Sequence, residues 1–274
     1  MKRFALVLLL VLAGCGDRGQ QPWLGYAEGE DAFISAPQPG WIASVAVKRG
    51  DTVKEGDLLF TLDDTQQRAA RDEAKAARAL AAAQLTQTQA QLAYAAKELN
   101  RQRKLVQAHA GTKAALDLAQ SNYDETKARI DQITAQQRQA AAALDNADYQ
   151  LSQRRITARV AGRIEDIYFR QGEYAPASTP VISLLPPQNV FVRFFVPETE
   201  FGKVKMGQPV RIACDGCAPD LTAIVTFIAQ QEEFTPPVIF SIANRTKLVF
   251  KLEARAPGGL KINPGQPVDV TPAP

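Results

Sequence analysis

Apolar side chains recur with three different periods along this chain. Between Asp64 and Arg155 they follow a helical period. Leu85, Leu92, Leu99 and Val106 stand seven apart, with Ala81, Thr88 and Ala95 between them. Further on, Leu116, Tyr123, Ile130, Gln137, Leu144 and Leu151 repeat the spacing, with Ala119, Thr126, Ile133, Ala140 and Ala147 between. A heptad of this kind is the a/d seam of a coiled coil. The segment is rich in Ala, Leu, Gln, Arg and Lys, all strong helix formers. It holds no proline, and its one glycine is Gly111. The pattern therefore predicts an antiparallel helical hairpin over 64–155 that reverses near 108–111. Each arm of some forty residues would reach roughly 60 Å at 1.5 Å per residue.

Either side of the hairpin the period drops to two. Ile42, Val45 and Val47 alternate with polar residues, as do Ile164, Ile167 and Phe169. These stretches are copies of each other. Gly40 and Gly162 stand 122 residues apart, as do Gly50 and Gly172, and Leu62 and Leu184. Alternation predicts strands, and Gly50 and Gly172 suit turns that need positive φ. Neither copy is large enough to bury a core, so the two must fold against each other, 34–63 with 156–186. The pattern resembles the two halves of a lipoyl or biotinyl carrier domain. A carrier displays a modifiable lysine where its halves join. Here the hairpin takes that place, so no lysine is displayed there.

After "LLPPQ" the alternation continues over 187–274. "VFVRFFV" (190–196), "LTAIVTFIA", "KLVFKLEA" and "GLKINPGQPVDV" read as strands, with a short helix from Glu198 and a turn at Gly207. Short strands between Gly and Pro clusters predict a small antiparallel barrel. Residues 15–33 read as an N-terminal linker or strand. The whole is expected to be α+β and elongated.

The third period is a continuous apolar run, Phe4 to Leu12, behind Lys2 and Arg3. It is too short for a membrane span, which needs about 20 residues, and reads as a signal peptide over 1–14. Its end, Leu12-Ala13-Gly14-Cys15, resembles the bacterial lipobox. That resemblance implies acylation of Cys15 and an exported protein. Of 32 basic residues, Lys2 and Arg3 lie in this segment, leaving 30 against 29 acidic ones. The near-neutral balance argues against a nucleic-acid binder.

The order is lipobox, half motif, helical hairpin, second half motif, β-barrel. It resembles the periplasmic adaptor subunits, or membrane fusion proteins, of the HlyD type. The resemblance covers nearly the whole mature chain. It implies an adaptor without catalysis that joins an inner-membrane transporter to a TolC-type outer-membrane channel for efflux or secretion. It further implies a ring of identical subunits, anchored by lipid at the periplasmic face of the inner membrane. "GYAEGE" and "EEFTPPVIFS" from Glu232 look most like adaptors of ABC transporters, with proton-driven RND-type pumps as the alternative. Many members carry a further β-domain beyond the barrel. This sequence stops at Pro274, so transporter contacts are expected mainly from the barrel.

"RQRKLVQAHAGT" (101–112) holds the candidate docking residues. In many members the hairpin end carries Arg, then Leu four residues on, then Ser seven further. Arg101, Leu105 and Thr112 match this spacing, with threonine keeping the hydroxyl. An arginine fork can meet carboxylates or free carbonyls. Leu105 offers an apolar knob, and Thr112 can cap the second helix.

Other chemistry is sparse. His109 has no nearby residues to complete a catalytic or metal site. Cys214 and Cys217 form a C-x-x-C pair. Zinc normally needs four ligands, and no second pair exists. Asp215-Gly216 reads as a hairpin turn between "VRIA" and the next strand. In an exported protein the pair reads as a structural disulfide. The competing reading is a periplasmic thiol protein with a coiled-coil stalk. No cofactor and no metal is expected.

Overall fold

The computed structural model describes residues 21–231, 233–234 and 248–273. The fold is α+β. Its first strand, β1 (Trp23–Gly29), runs away from the N-terminus and hands the chain to the split β-domain at β2 (Ala32–Ser35).

The first half of that domain continues with β3 (Gly40–Val45), β4 (Thr52–Val53) and β5 (Leu58–Leu62). The second half comprises β6 (Arg155–Thr157), β7 (Gly162–Ile167), β8 (Tyr174–Ala175) and β9 (Pro180–Leu185). The 122-residue offset reappears as symmetry. β4 pairs with β7 and β8 with β3, while β2 pairs with β9 and β6 with β5. Single hydrogen bonds are duplicated as well. Gly50 N donates to Ile164 O at 2.8 Å, and Gly172 N to Ile42 O at 2.9 Å. Gly50 and Gly172 take φ of 88° and 85°, the left-handed conformation open to glycine. Because the halves exchange strands, one core forms between them. Ile42, Leu59 and Phe60 come from one half, Ile164, Ile182 and Leu184 from the other, all with at most 2% exposure.

Between the halves stand α1 (Thr65–Gln107) and α2 (Lys113–Ser152), of 43 and 40 residues. The heptad positions face inward as the spacing requires. Ala81, Thr88 and Leu99 are buried on α1, and Ala119, Ile133 and Leu144 on α2. The other seam residues are half-buried, while Tyr94, Leu118 and Tyr149 lie outside the seam and are exposed. Thr88 enters the seam at little cost because its hydroxyl donates to Gln84 O one turn back, at 2.9 Å.

The barrel holds β10 (Val190–Pro197), α3 (Glu198–Phe201), β11 (Pro209–Ala213), β12 (Leu221–Ile228), β13 (Glu233–Phe234), β14 (Leu248–Arg255) and β15 (Pro267–Pro272). Its closed circuit runs β10-β1-β15-β11-β12-β14 and back to β10. Two expectations are corrected here. The barrel is not built from 187–274 alone, because β1 lies between β10 and β15 and closes it. Asp215-Gly216 is a turn, with Gly216 at φ 78°, but not a two-residue hairpin. The ladder ends at the Ile212–Leu221 pair, so the turn sits inside a longer connection.

Candidate functional site

The free end of the hairpin is built from a helix stop, a short reversal and a helix start. α1 closes with His109 N donating to Val106 O at 3.0 Å and Ala110 N to Leu105 O at 2.9 Å. This pair of bonds is a Schellman motif. His109 takes the left-handed position, at φ 53°. Glycine usually fills that position, but Gly111 has another task. A Cβ at Gly111 would lie 3.0 Å from Leu105 Cβ and 3.1 Å from Val106 N. Gly111 thus lets the reversal fold back over the end of α1. Thr112 then starts α2 as its N-cap, its hydroxyl accepting from Ala115 N at 3.2 Å.

The three predicted residues are distributed over this tip. Arg101 and Leu105 are one helical turn apart on α1, and Thr112 begins α2. Arg101 is exposed and pairs with Glu98 one turn back. Leu105 keeps 37% of its surface exposed, whereas the next residue, Val106, enters the seam. The Thr112 hydroxyl uses an acceptor lone pair for its cap, which leaves its proton free to donate. Arg103, absent from the sequence reading, braces the end by donating to Gln120 Oε1 across the two helices, at 2.7 Å. Taken together, the tip offers a cation, an apolar knob and a hydroxyl on a locked turn.

The opposite end of the hairpin is fixed to the β-domain. Arg154 Nη1 donates to Pro39 O at 2.9 Å, and Leu62 N to Arg154 O at 2.9 Å. Asp63 N donates to Trp41 O at 2.8 Å, and Gln38 bonds Gln150. Both helix roots are held, so the tip is positioned by the β-domain.

The remaining predicted residues lie elsewhere. Cys214 and Cys217 are bridged at the β11–β12 connection, Cα atoms 5.4 Å apart. Gln266 Nε2 donates to Asp215 O at 3.0 Å and steadies that turn. Cys15 and most of "EEFTPPVIFS" lie outside the described residues.

A charged group on the barrel wall escaped the sequence reading. Arg193 meets Glu28 at 2.6 Å and Glu253 at 2.9 Å. Burial works to lower its pKa, but hydrogen bonds to Glu253 and Tyr26 and the nearby carboxylate charges hold it above the ordinary arginine range. Arg255 stacks over Phe191, 4.3 Å from the ring centroid, and pairs with Glu30 at 2.7 Å. Alternation marks these residues as outward-facing, but only the strand register brings 28, 193 and 253 together.

Comparison with known proteins places this geometry. The family model described as "RND MFP, barrel-sandwich hybrid domain" matches residues 32–185. The chain is 31% identical over 195 residues to the uncharacterized protein YdhJ of Escherichia coli K12, covering 70% of this chain and 63% of that protein. It is 30% identical over 231 residues to the multidrug export protein EmrA of the same strain, covering 69% and 59%. The chain thus spans about three fifths of the length of these two curated relatives. The crystal structure of MacA from Actinobacillus actinomycetemcomitans shares the fold, with a TM-score of 0.69 at 21% identity. The match covers 93% of this chain and 79% of that one.

Proposed function

The chain belongs to the membrane fusion protein family, and we propose that it is the periplasmic adaptor of a tripartite efflux or secretion system. In this reading it performs no catalysis. It links an inner-membrane transporter to a TolC-type outer-membrane channel, and copies of it form a ring. The observation that supports the reading is the hairpin end, where Leu105 keeps 37% of its surface exposed on a turn locked by a Schellman motif.

Arg101, Leu105 and Thr112 are the proposed channel-docking residues. Leu105→Asp or Arg101→Asp is expected to abolish export and crosslinking to the channel while the melting temperature changes little. Full export by both variants, or failure only through unfolding of the hairpin, would refute the docking role.

The protein is held at the periplasmic face of the inner membrane by lipid on Cys15. A Cys15→Ser variant should lose acyl labelling and move to the soluble fraction. Mature protein that carries no acyl group would sink this anchor. The Cys214–Cys217 bridge is proposed as a structural clasp of the β11–β12 connection. Its loop is short, so its contribution should fall well below the 2–4 kcal/mol of longer loops.

The transporter is proposed to be of the ABC type, a reading supported by "GYAEGE" and "EEFTPPVIFS". The RND label of the matching family model favours a proton-driven pump instead. Crosslinking from the barrel in cells, followed by identification of the captured transporter, separates the two.

A further inference from the structure

The strand register places several features at one end of the barrel, away from the split β-domain. Trp23 at the start of β1 pairs with Val270, and Val210 near the start of β11 pairs with Pro272. β10 finishes at Pro197 at this same end, and α3 follows it. The opposite end, at Gly29 and Val190, is where the chain crosses to the β-domain.

Among the described residues, this end carries exposed apolar side chains. Leu24 points outward from β1 with 71% of its surface exposed, and Met206, on the loop before β11, keeps 60%. Tyr26 and Phe195 lie on the same outer wall as Leu24, their rings 6.3 Å apart. Scattered exposed apolar residues are ordinary on any protein. Here Leu24 lies on the strand that begins where the N-terminus enters the barrel, and Met206 on the loop that leads into β11. Among the described residues, charges of both signs stand beside them. Lys203 and Lys205 flank the loop, against Glu198 and Glu200 on α3 and Asp269 on β15. Glu200 is further occupied by Trp23, whose Nε1 donates to it at 2.7 Å.

Chain length says what can cover this end. Five residues lie between Cys15 and Gln21, and the six Cα–Cα steps, if extended, reach about 20 Å. We propose that this end of the barrel seats on the phospholipid bilayer, with Leu24 and Met206 entering the headgroup layer and Tyr26 at its edge. The proposal rests on the reading of Cys15 as the lipid site, which tethers this end within reach of the surface. Tyrosine suits the interface because its ring is apolar and its hydroxyl is wet. Leucine and methionine gain by burying their side chains among the acyl chains. In this proposal binding is carried by apolar burial rather than by attraction to anionic lipid.

The test uses the full mature chain with Cys15→Ser, so that contact with lipid is measured without the anchor. It is compared with the same chain carrying Leu24→Gln and Met206→Gln. Glutamine avoids setting a carboxylate opposite Asp269, the cross-strand partner of Leu24. Partition onto vesicles of phosphatidylethanolamine with a minority of phosphatidylglycerol should fall about tenfold in the double glutamine variant. It should change less than about twofold when salt is raised. Equal partition of the two proteins, or loss of binding in salt, overturns the proposal. A second arm uses the acylated protein with Met206→Trp. Its fluorescence should shift to the blue on these vesicles and be quenched by brominated lipid, and an unshifted spectrum counts against the proposal. Whether Cys15 is acylated is read separately, from the mass of the wild-type protein. A negative mass result would defeat the anchor while leaving the vesicle comparison valid.

Discussion

The hairpin and the split β-domain bury their apolar residues on opposite plans. Each long helix has three buried residues, and two of the six are alanines. The β-domain is shorter in sequence yet encloses a core of fourteen buried residues drawn from both halves. In the hairpin every contact is repeated by the next heptad, so stability is spread thinly along the seam. In the β-domain the strands of one half complete the sheets of the other, so its stability depends on both. A seam defect should therefore stay local, whereas a core defect in the β-domain should spread. The arrangement fits a rigid base that carries a replaceable arm with a specialised end.

The largest effect is expected from Phe60→Ala. Phe60 is 0% exposed at the centre of the shared core, and its removal should cost about 3–5 kcal/mol. Both halves should unfold in one transition, measured by thermal melting. A loss under about 1 kcal/mol would mean the halves are not interdependent.

Leu92→Asp or Ile130→Asp comes next. Each would set an unpaired charge in the seam, costing about 1–3 kcal/mol. Far-ultraviolet helical signal should fall while the near-ultraviolet signals of Trp23 and Trp41, in the barrel and the β-domain, persist. Loss of both signals together would contradict the contrast between a local and a shared core.

Smaller effects sharpen the account of the tip. Thr112→Ala removes the cap of α2 and should cost about 1 kcal/mol. Hydrogen exchange should quicken in the first turn of α2 and remain slow at the roots held by Arg154. His109→Gly should stabilise the hairpin by about 0.5 kcal/mol. It relieves the left-handed strain of a residue with a Cβ, less the added freedom of glycine when unfolded. A destabilised hairpin would show that the imidazole makes a contact of its own.

Much of this molecule was written in local patterns. The heptads named the faces of α1 and α2 because a helix repeats on a fixed angle, so spacing alone selects the buried stripe. The repeat at Gly40 and Gly162 predicted two matching halves, and the glycines at 50 and 172 marked their turns. Arg101, Leu105 and Thr112 were named because their spacing resembles that at the hairpin end of many membrane fusion proteins, and the heptads had located that end. What escaped was the pairing of strands that neither the repeat nor the heptads link. Trp23–Gly29 fell within a segment read only as linker or strand, and nothing near it in sequence named β10 and β15 as partners. The Glu28–Arg193–Glu253 cluster exists only once those strands are in register. His109 was weighed as a chemical group, whereas its role is conformational, because Gly111 is claimed by its close approach to Leu105. Periodicity reports which side of an element faces inward. The choice of neighbour is made by the free energy of long-range packing, which no short window of sequence contains.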